Sequence, residues 1–275
     1  MPSGQTVDAL EHRAPDGVHY PMLEARNLGK FYAGIPAVKD VNFTVARGQI
    51  LGLLGPNGSG KSTTVSMLTS LLEPTTGQVL LDGVSVNVAP LDYKAKVGYV
   101  PEEAHLYTYL TGPEYLELIG QLRGLEPRVL RDKIDAFLEV FDLQDDRHAT
   151  MAAYSKGMRQ KILISAALLH DPEIVVLDEP NSGLDVTSTL MLRSLVQELS
   201  AAGKIIIYSS HVLEIVERVA TDVLILHESR VVAHDSVEKL RDLMALPSLE
   251  QVFRKVVAAT DVEQVARDIV GVMRL

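Results

Sequence analysis

The sequence predicts an α/β fold in which a helical subdomain interrupts the α/β core. Along most of the chain, short apolar segments alternate with segments of helical periodicity, which is typical of α/β domains. Residues 114–169 carry helical periodicity alone. A glycine-rich segment at residues 55–60 lies between an apolar strand and a helix, where α/β folds commonly place their sites.

The strands are predicted from apolar pattern. Residues 50–54, 174–177 and 205–208 are apolar on both faces, which favours buried strands of a parallel sheet. Residues 41–45 alternate apolar and polar side chains, which indicates a half-exposed strand. Further strands are predicted at 78–88, 97–100, 223–226 and 230–234, with the last two as a hairpin.

The helices are predicted from periodicity and from their start and stop signals. We expect helices at 61–72 and 187–201, two helices between 114 and 143 divided by Gly124 and Pro127, and a third from Ser155 to Leu169. The Ser155 hydroxyl is placed to cap that third helix. Asp235 with Glu238 is predicted to form a capping pair for a helix that leads into the tail.

The composition excludes several classes of protein. A net charge of −10 argues against a nucleic-acid-binding face. The chain has no cysteine, so disulfides and thiolate metal sites are excluded. The apolar segment 162–169 is far shorter than the roughly 20 residues of a membrane span. The first residues do not resemble a signal peptide, and we expect a cytosolic protein.

Residues 55–62 match the phosphate-loop pattern G-x-x-x-x-G-K-[ST] in its expected context between a buried strand and a helix. Glycines allow successive backbone amides to face a phosphate, and the helix N-terminus attracts anions. Lys61 is expected to reach the β- and γ-phosphates, and the Ser62 hydroxyl to bind Mg²⁺. A flexible turn is the alternative. The predicted ATP-binding residues here are Gly55, Pro56, Asn57, Gly58, Ser59, Gly60, Lys61, Ser62 and Thr63.

Asp178 and Glu179 follow the apolar strand 174–177. A carboxylate at this end of a buried strand is suited to hold Mg²⁺, and the adjacent Glu179 to orient or deprotonate an attacking water. Such residues are often only solvated loop residues. Beside a phosphate loop, the catalytic interpretation is favoured.

With these motifs in order, the chain resembles the ATP-binding cassette (ABC) ATPases over about residues 22–235. The segment from Tyr154 to Met158 resembles the family signature. The resemblance implies that Ser155 and Gly157 bind the γ-phosphate of ATP held by the opposite subunit. Lys156 departs from the common form, and it either adds a cation near phosphate or points to solvent.

The resemblance assigns further roles. Asp185 ends a segment similar to the D-loop, which crosses the dimer interface, and His211 matches the switch histidine that contacts the γ-phosphate and the attacking water. Tyr32 stands where the family has an aromatic residue that stacks on adenine, with Phe31 as the rival. Glu102 replaces the Q-loop glutamine, and we expect it to serve as a metal-side residue with Ser62 and Asp178.

The resemblance implies an ATPase that uses ATP and Mg²⁺, with a RecA-like core, an antiparallel β subdomain and a helical subdomain at about 103–169. Residues 1–21 would be a flexible extension, and 236–275 a helical tail. The implied partners are a second copy or a second ABC ATPase, and an integral membrane permease, with no nucleic acid. The protein would lie on the inner face of the cell membrane through that permease. The variant signature, Glu102 and the tail motif resemble the ABC-2 branch, mostly exporters.

Three rival functions are disfavoured. A translation-factor ABC protein, the closest rival, would carry two tandem cassettes, and this chain has one phosphate loop. A chromosome-maintenance ATPase would have a long coiled coil before the signature. An unrelated P-loop kinase or GTPase would not need the series Ser155, Asp178 and His211.

Overall fold

The computed structural model describes residues 22–102, 106–244 and 248–257. The predicted N-terminal extension and the tail beyond residue 257 lie outside this part of the chain. Within it, no helix combines the length and the apolar character needed to cross a membrane.

A six-stranded sheet forms the core. Its strands are β3 (Ile50–Leu54), β6 (Val97–Val100), β7 (Ile174–Asp178), β8 (Ile205–Ser209), β9 (Asp222–His227) and β10 (Arg230–Ser236), in the order β10-β9-β3-β8-β7-β6. All neighbours are parallel except β9 and β10, which form the predicted hairpin. Every residue of β3, β7 and β8 is buried, as the continuous apolar pattern predicts.

A second, antiparallel sheet lies beside the core sheet. It consists of β1 (Met22–Tyr32), β2 (Ile35–Ala46), β4 (Thr76–Leu81) and β5 (Val84–Ser85) in the order β2-β1-β4-β5. Side chains of β3 serve both faces of the core sheet: Leu51 and Leu53 pack in one apolar cluster, and Ile50 and Leu54 in the other. Because successive side chains of a strand point to opposite faces, the core sheet has one apolar cluster on each face.

The helices are α1 (Lys61–Leu68), α2 (Pro90–Ala95), α3 (Gly112–Leu122), α4 (Pro127–Val140), α5 (Lys156–Leu168), α6 (Val186–Ala201), α7 (Leu213–Val219), α8 (Val237–Met244) and α9 (Leu249–Val257). Between β6 and β7 the described residues contain helices, loops and a single bridge from Thr111 to Thr150. The predicted helical insertion is therefore present, and Ser155 caps α5 through a hydrogen bond from the Met158 amide, 3.1 Å long.

Three predictions differ from the structure. The single strand predicted at 78–88 is two strands, β4 and β5, because Asp82 (φ 55°) and Gly83 (φ 79°) form a turn between them. α1 ends at Leu68 and not at residue 72, because Ser70 adopts a left-handed conformation (φ 56°). The amides of Ser70 and Leu71 then bond to the carbonyls of Met67 and Ser66, which is a Schellman motif.

The cap of α8 is Ser236 and not Asp235. The Ser236 hydroxyl accepts a hydrogen bond from the Lys239 amide at 3.2 Å. The Asp235 carboxylate instead accepts the Ser236 amide at 2.9 Å and pairs with the Lys239 ammonium at 2.7 Å. Serine and aspartate are both good caps, so the sequence signal was correct in type and displaced by one residue.

Candidate active site

The phosphate loop joins β3 to α1 at the carboxyl edge of the core sheet. Gly60 precedes α1 with φ 107°, and a Cβ atom there would lie 2.5 Å from the Ala37 carbonyl oxygen. Only glycine fits that backbone position. The first amides of α1 have no carbonyl partner within the helix, so this end of the helix is available to an anion.

Lys61 is buried within its own loop. Its ammonium group donates hydrogen bonds to the carbonyl oxygens of Gly55 (2.7 Å) and Pro56 (3.2 Å). Burial lowers the pKa of Lys61, while the nearby Glu179, Asp178 and Glu102 carboxylates act in the opposite direction. The lysine therefore lies close to three carboxylates.

Asp178 is the last residue of β7 and is 4% exposed. It lies beside Ser209, the last residue of β8, in the parallel ladder. Burial raises the pKa of Asp178, and the negative charges of Glu102 and Glu179 raise it further. A cation near this carboxylate would relieve both effects.

Glu179 connects the strand ends to His211. Its Oε1 lies 2.8 Å from Nδ1 of His211, and its Oε2 accepts a hydrogen bond from the Ser210 hydroxyl at 3.2 Å. Glu179 has a left-handed backbone (φ 47°), and its amide donates to the Ser209 carbonyl at 2.9 Å. These contacts fix the carboxylate at the base of the loop that follows β7.

A cleft of about 610 Å³ unites most of the predicted site. The residues that line it come from the phosphate loop, from the ends of β6 and β7 and from the segment after β8. They are Asn57, Gly58, Gly60, Lys61, Ser62, Thr63, Glu102, Asp178, Glu179 and His211. Gly55 and Pro56 lie behind it as acceptors for Lys61. Ser59 is buried, and its hydroxyl has no hydrogen-bond partner among the described residues.

Seven predicted residues lie outside the lining of this cleft: besides Gly55, Pro56 and Ser59, they are Tyr32, Ser155, Gly157 and Asp185. Tyr32 is 52% exposed, with the Lys30 ammonium 5.6 Å from its ring centre. Phe31 is less exposed. Ser155 is exposed at the start of α5. The Asp185 carboxylate caps α6 by accepting the Ser188 amide at 2.7 Å.

Lys156 is exposed and contacts a residue of its own chain. Its ammonium group donates a hydrogen bond to the Ser182 hydroxyl at 2.8 Å. The sequence did not indicate two polar residues of this region, Ser182 and Ser210. The Ser210 hydroxyl donates a hydrogen bond to Glu179. Ser210 could have been found by the rule that selected Asp178, because it directly follows a buried strand.

The comparisons with known proteins decide the family. The sequence pattern of the ABC transporter family matches residues 38–182, more than half of the chain. The chain belongs to this family. It is the ATP-binding subunit of an ABC transporter, and it is an ATPase.

Individual relatives agree with this. The chain is 36% identical over 220 residues to the ABC transporter ATP-binding protein NatA of Bacillus subtilis, covering 80% of this chain and 89% of NatA. It is also 36% identical to the bacitracin transport ATP-binding protein BcrA of Enterococcus faecalis, covering 80% of this chain and 72% of BcrA.

Solved structures share the fold. An ATP-binding subunit of an ABC transporter superimposes with a TM-score of 0.80 at 33% identity, covering 86% of this chain and 99% of that chain. A dimeric bacterial ABC transporter cassette superimposes with a TM-score of 0.71 at 25% identity, covering 78% of this chain and 98% of that chain.

The residues of this ABC ATPase fit a magnesium ion that binds together with a nucleotide. In the described part of the chain, no three His, Asp or Glu side chains form a metal site by themselves. Ser62, Asp178 and Glu102 nevertheless offer oxygen atoms to one cleft. Mg²⁺ commonly binds through one or two carboxylates plus substrate phosphates, so this incomplete protein set is the expected one.

The free-energy cost of burying the Asp178 carboxylate near two other carboxylates can be measured. In the nucleotide-free ABC ATPase, we expect Asp178→Asn to increase the free energy of unfolding by about 1 kcal/mol at neutral pH. Because the folded-state pKa is raised, the destabilisation by the carboxylate is largest above that pKa and disappears as the pH falls through it. Urea unfolding over a pH series measures the difference, with Asp145→Asn, at an exposed position, as control. A difference that grew as the pH fell would contradict the prediction.

Proposed function

We propose that two copies of this chain, or this chain and a second ABC ATPase, close around two ATP molecules and drive a separate membrane permease. The observation that carries the proposal is the position of Glu179, held between His211 and Ser210 in the cleft that Lys61 and Ser62 also line. The structural similarity to a dimeric cassette supports the assembly.

Residues 55–63 hold the phosphates in this proposal. Lys61 exchanges its two carbonyl acceptors, Gly55 and Pro56, for the β- and γ-phosphates. The amides at the start of α1 donate to the same anion. Tyr32 stacks on the adenine ring, and its exposure leaves one ring face available.

Glu179 acts as the base or positioning group for the attacking water. Its Oε2 is anchored by Ser210 and its Oε1 by Nδ1 of His211. The second nitrogen of His211 remains for the γ-phosphate or the water. Lys61 stabilises the charge that develops on the transferred phosphoryl group.

Ser62, Asp178 and Glu102 hold the magnesium ion in this proposal. When bound, Mg²⁺ neutralises charge on the β- and γ-phosphate oxygens. The pKa of Asp178 is raised first by burial and then by the negative charges of Glu102 and Glu179. The positive charge of Lys61 and of a bound cation offsets that repulsion, which supports the assignment of Glu102 to the metal side.

Ser155 and Gly157 complete the site of the opposite subunit. Both stand at the start of α5, whose first-turn amides and dipole favour an anion. Neither lines the cleft of its own chain. Asp185 lies at the same interface. The γ-phosphate is present only in ATP, so ATP favours closure and hydrolysis reverses it.

The permease, the direction of transport and the domain division belong to the same proposal. Export is supported by the resemblance to the ABC-2 branch and by the relative named for bacitracin transport. We place the ABC ATPase domain at residues 22–235, with its helical subdomain at about 103–169 and a helical tail from 236. The chain would lie in the cytoplasm against the inner face of the cell membrane.

Purification of the native protein from detergent-solubilised membranes tests the partner. We expect an integral membrane permease to co-purify in stoichiometric amount. Recovery of ribosomes without a membrane protein would overturn the proposed partner and favour the translation-type function.

Glu102→Ala tests the metal assignment. We expect the Mg²⁺ concentration for half-maximal ATPase activity to rise on the order of tenfold, because one oxygen donor is lost. Initial rates over a Mg²⁺ series measure this, with Glu117→Ala, an exposed glutamate on α3, as control. If Glu102→Ala leaves both the rate and the Mg²⁺ dependence unchanged, the assignment is wrong.

A further inference from the structure

The start of α5 and the loop of residues 180–183 are joined inside one subunit. The Lys156 ammonium donates to the Ser182 hydroxyl at 2.8 Å. One turn further along α5, the buried Gln160 side-chain amide donates to the Pro180 carbonyl at 3.1 Å. These two bonds hold the loop along the first turn and a half of the helix.

Lys156 also covers Gly183. A Cβ atom built on Gly183 would lie 2.3 Å from Cδ of Lys156 and 2.6 Å from its Cγ, and Gly183 has φ 83°. Such distances place the stem of Lys156 directly against the loop backbone. The lysine thus contacts the loop through both its ammonium group and its methylene groups.

The loop is attached in turn to Glu179. The Ser182 amide donates to the Glu179 carbonyl at 3.1 Å. Asn181 donates from its side-chain amide to the Tyr208 hydroxyl, which anchors the loop to β8. A displacement of Ser182 would therefore also displace the backbone of Glu179. That backbone is left-handed, a conformation that depends on the surrounding contacts.

We propose that Lys156 is a positioning residue that couples the start of α5 to Glu179 of the same subunit. The inference rests on the proposed function, in which Ser155 and Gly157 grip the γ-phosphate of the opposite site. When binding of that γ-phosphate moves α5, Lys156 moves loop 180–183 with the helix. This movement determines the position of the Glu179 carboxylate. Binding at one site is thereby linked to hydrolysis at the other.

This role differs from that of a cation directed at phosphate. The Lys156 ammonium is engaged by Ser182 in its own chain, and its stem is fixed against Gly183. A phosphate-binding lysine would contribute to ATP-dependent dimerisation. A coupling lysine contributes to the rate of hydrolysis within an already closed dimer.

The test compares Lys156→Met, Ser182→Ala and the double variant with the wild type. Methionine keeps the apolar stem and removes the donor. We expect kcat to fall about three- to tenfold in each single variant, as for loss of one hydrogen bond, with the KM for ATP unchanged. The double variant should be no worse than Lys156→Met, because both changes remove the same bond.

Two further measurements separate coupling from general damage. Lys156→Arg, which keeps a donor, should restore most of kcat. In a Glu179→Gln background, Lys156→Met should still form the ATP-dependent dimer. Lys239→Met, an exposed lysine on α8, is the control and should keep the wild-type kcat.

Three results would overturn the inference: an unchanged kcat in Lys156→Met, additive effects in the double variant, or loss of the ATP-dependent dimer in Lys156→Met with Ser182→Ala unaffected. The last result would assign Lys156 to phosphate. Failure of the proposed function is distinct: Glu179→Gln would then hydrolyse ATP at the wild-type rate, or the wild type would hydrolyse ATP without forming a dimer.

Discussion

Replacing Glu179 with Gln is expected to lower the ATPase kcat by 10²–10⁴-fold, on the order that removal of a general base produces. The amide cannot accept the proton of the attacking water. It can still accept the Ser210 hydroxyl, so the loop should remain folded. Because ATP is then bound and not consumed, an ATP-stabilised dimer should accumulate on a sizing column.

The matched control is Glu198→Gln, on the exposed side of α6, which should hydrolyse ATP at the wild-type rate and show no trapped dimer. Steady-state phosphate release measures the rate of both variants. Unimpaired turnover in Glu179→Gln would remove this residue from the catalytic role.

Lys61→Met is expected to give the second large effect, a loss of ATP affinity on the order of a hundredfold or more. The variant loses the only lysine that the cleft presents among its described lining residues. It also removes the positive charge that interacts with the Asp178, Glu179 and Glu102 carboxylates. Phosphates and carboxylates would then meet without the lysine charge that partly offsets their repulsion.

Isothermal calorimetry with ATP and Mg²⁺ in a Glu179→Gln background measures this affinity without turnover. Lys239→Met is the control and should bind as tightly as its parent. Bound ATP should also stabilise the parent by about 2.7 kcal/mol at a ligand concentration of 100 Kd, and this gain should be lost with Lys61→Met. Equal ATP affinity in the Glu179→Gln parent and in the same protein with Lys61→Met added would exclude Lys61 from phosphate binding.

The core of the fold was predictable because its signals are local. β3 and β6 begin and end where the sequence predicts, and the parallel strands of the core have the continuous apolar pattern of strands buried on both faces. The errors occur at element ends and at the turn of Asp82 and Gly83, which divides the strand predicted at 78–88. Ser70 ends α1 because of its left-handed conformation, and a serine carries no strong sequence signal for that conformation.

The candidate site divides in the same way. Lys61 and Ser62 belong to one contiguous motif, whereas Glu179 and His211 meet only because β7 and β8 are neighbours in the sheet. The end-of-strand rule selected Glu179 and the resemblance to the ABC ATPases selected His211, and neither gave their contact. The bond from Lys156 to Ser182 joins a helix start to a loop that follows another element, and no sequence pattern predicts that bond.

One measurement addresses the central claim that each ATP is held by two chains. Ser155→Asp keeps a good helix cap and places a negative charge where the γ-phosphate of the partner would bind. In a Glu179→Gln background, light scattering with ATP should show a dimer for the parent and a monomer with bound ATP after Ser155→Asp is added. A dimer of undiminished stability in the double variant would contradict the claim.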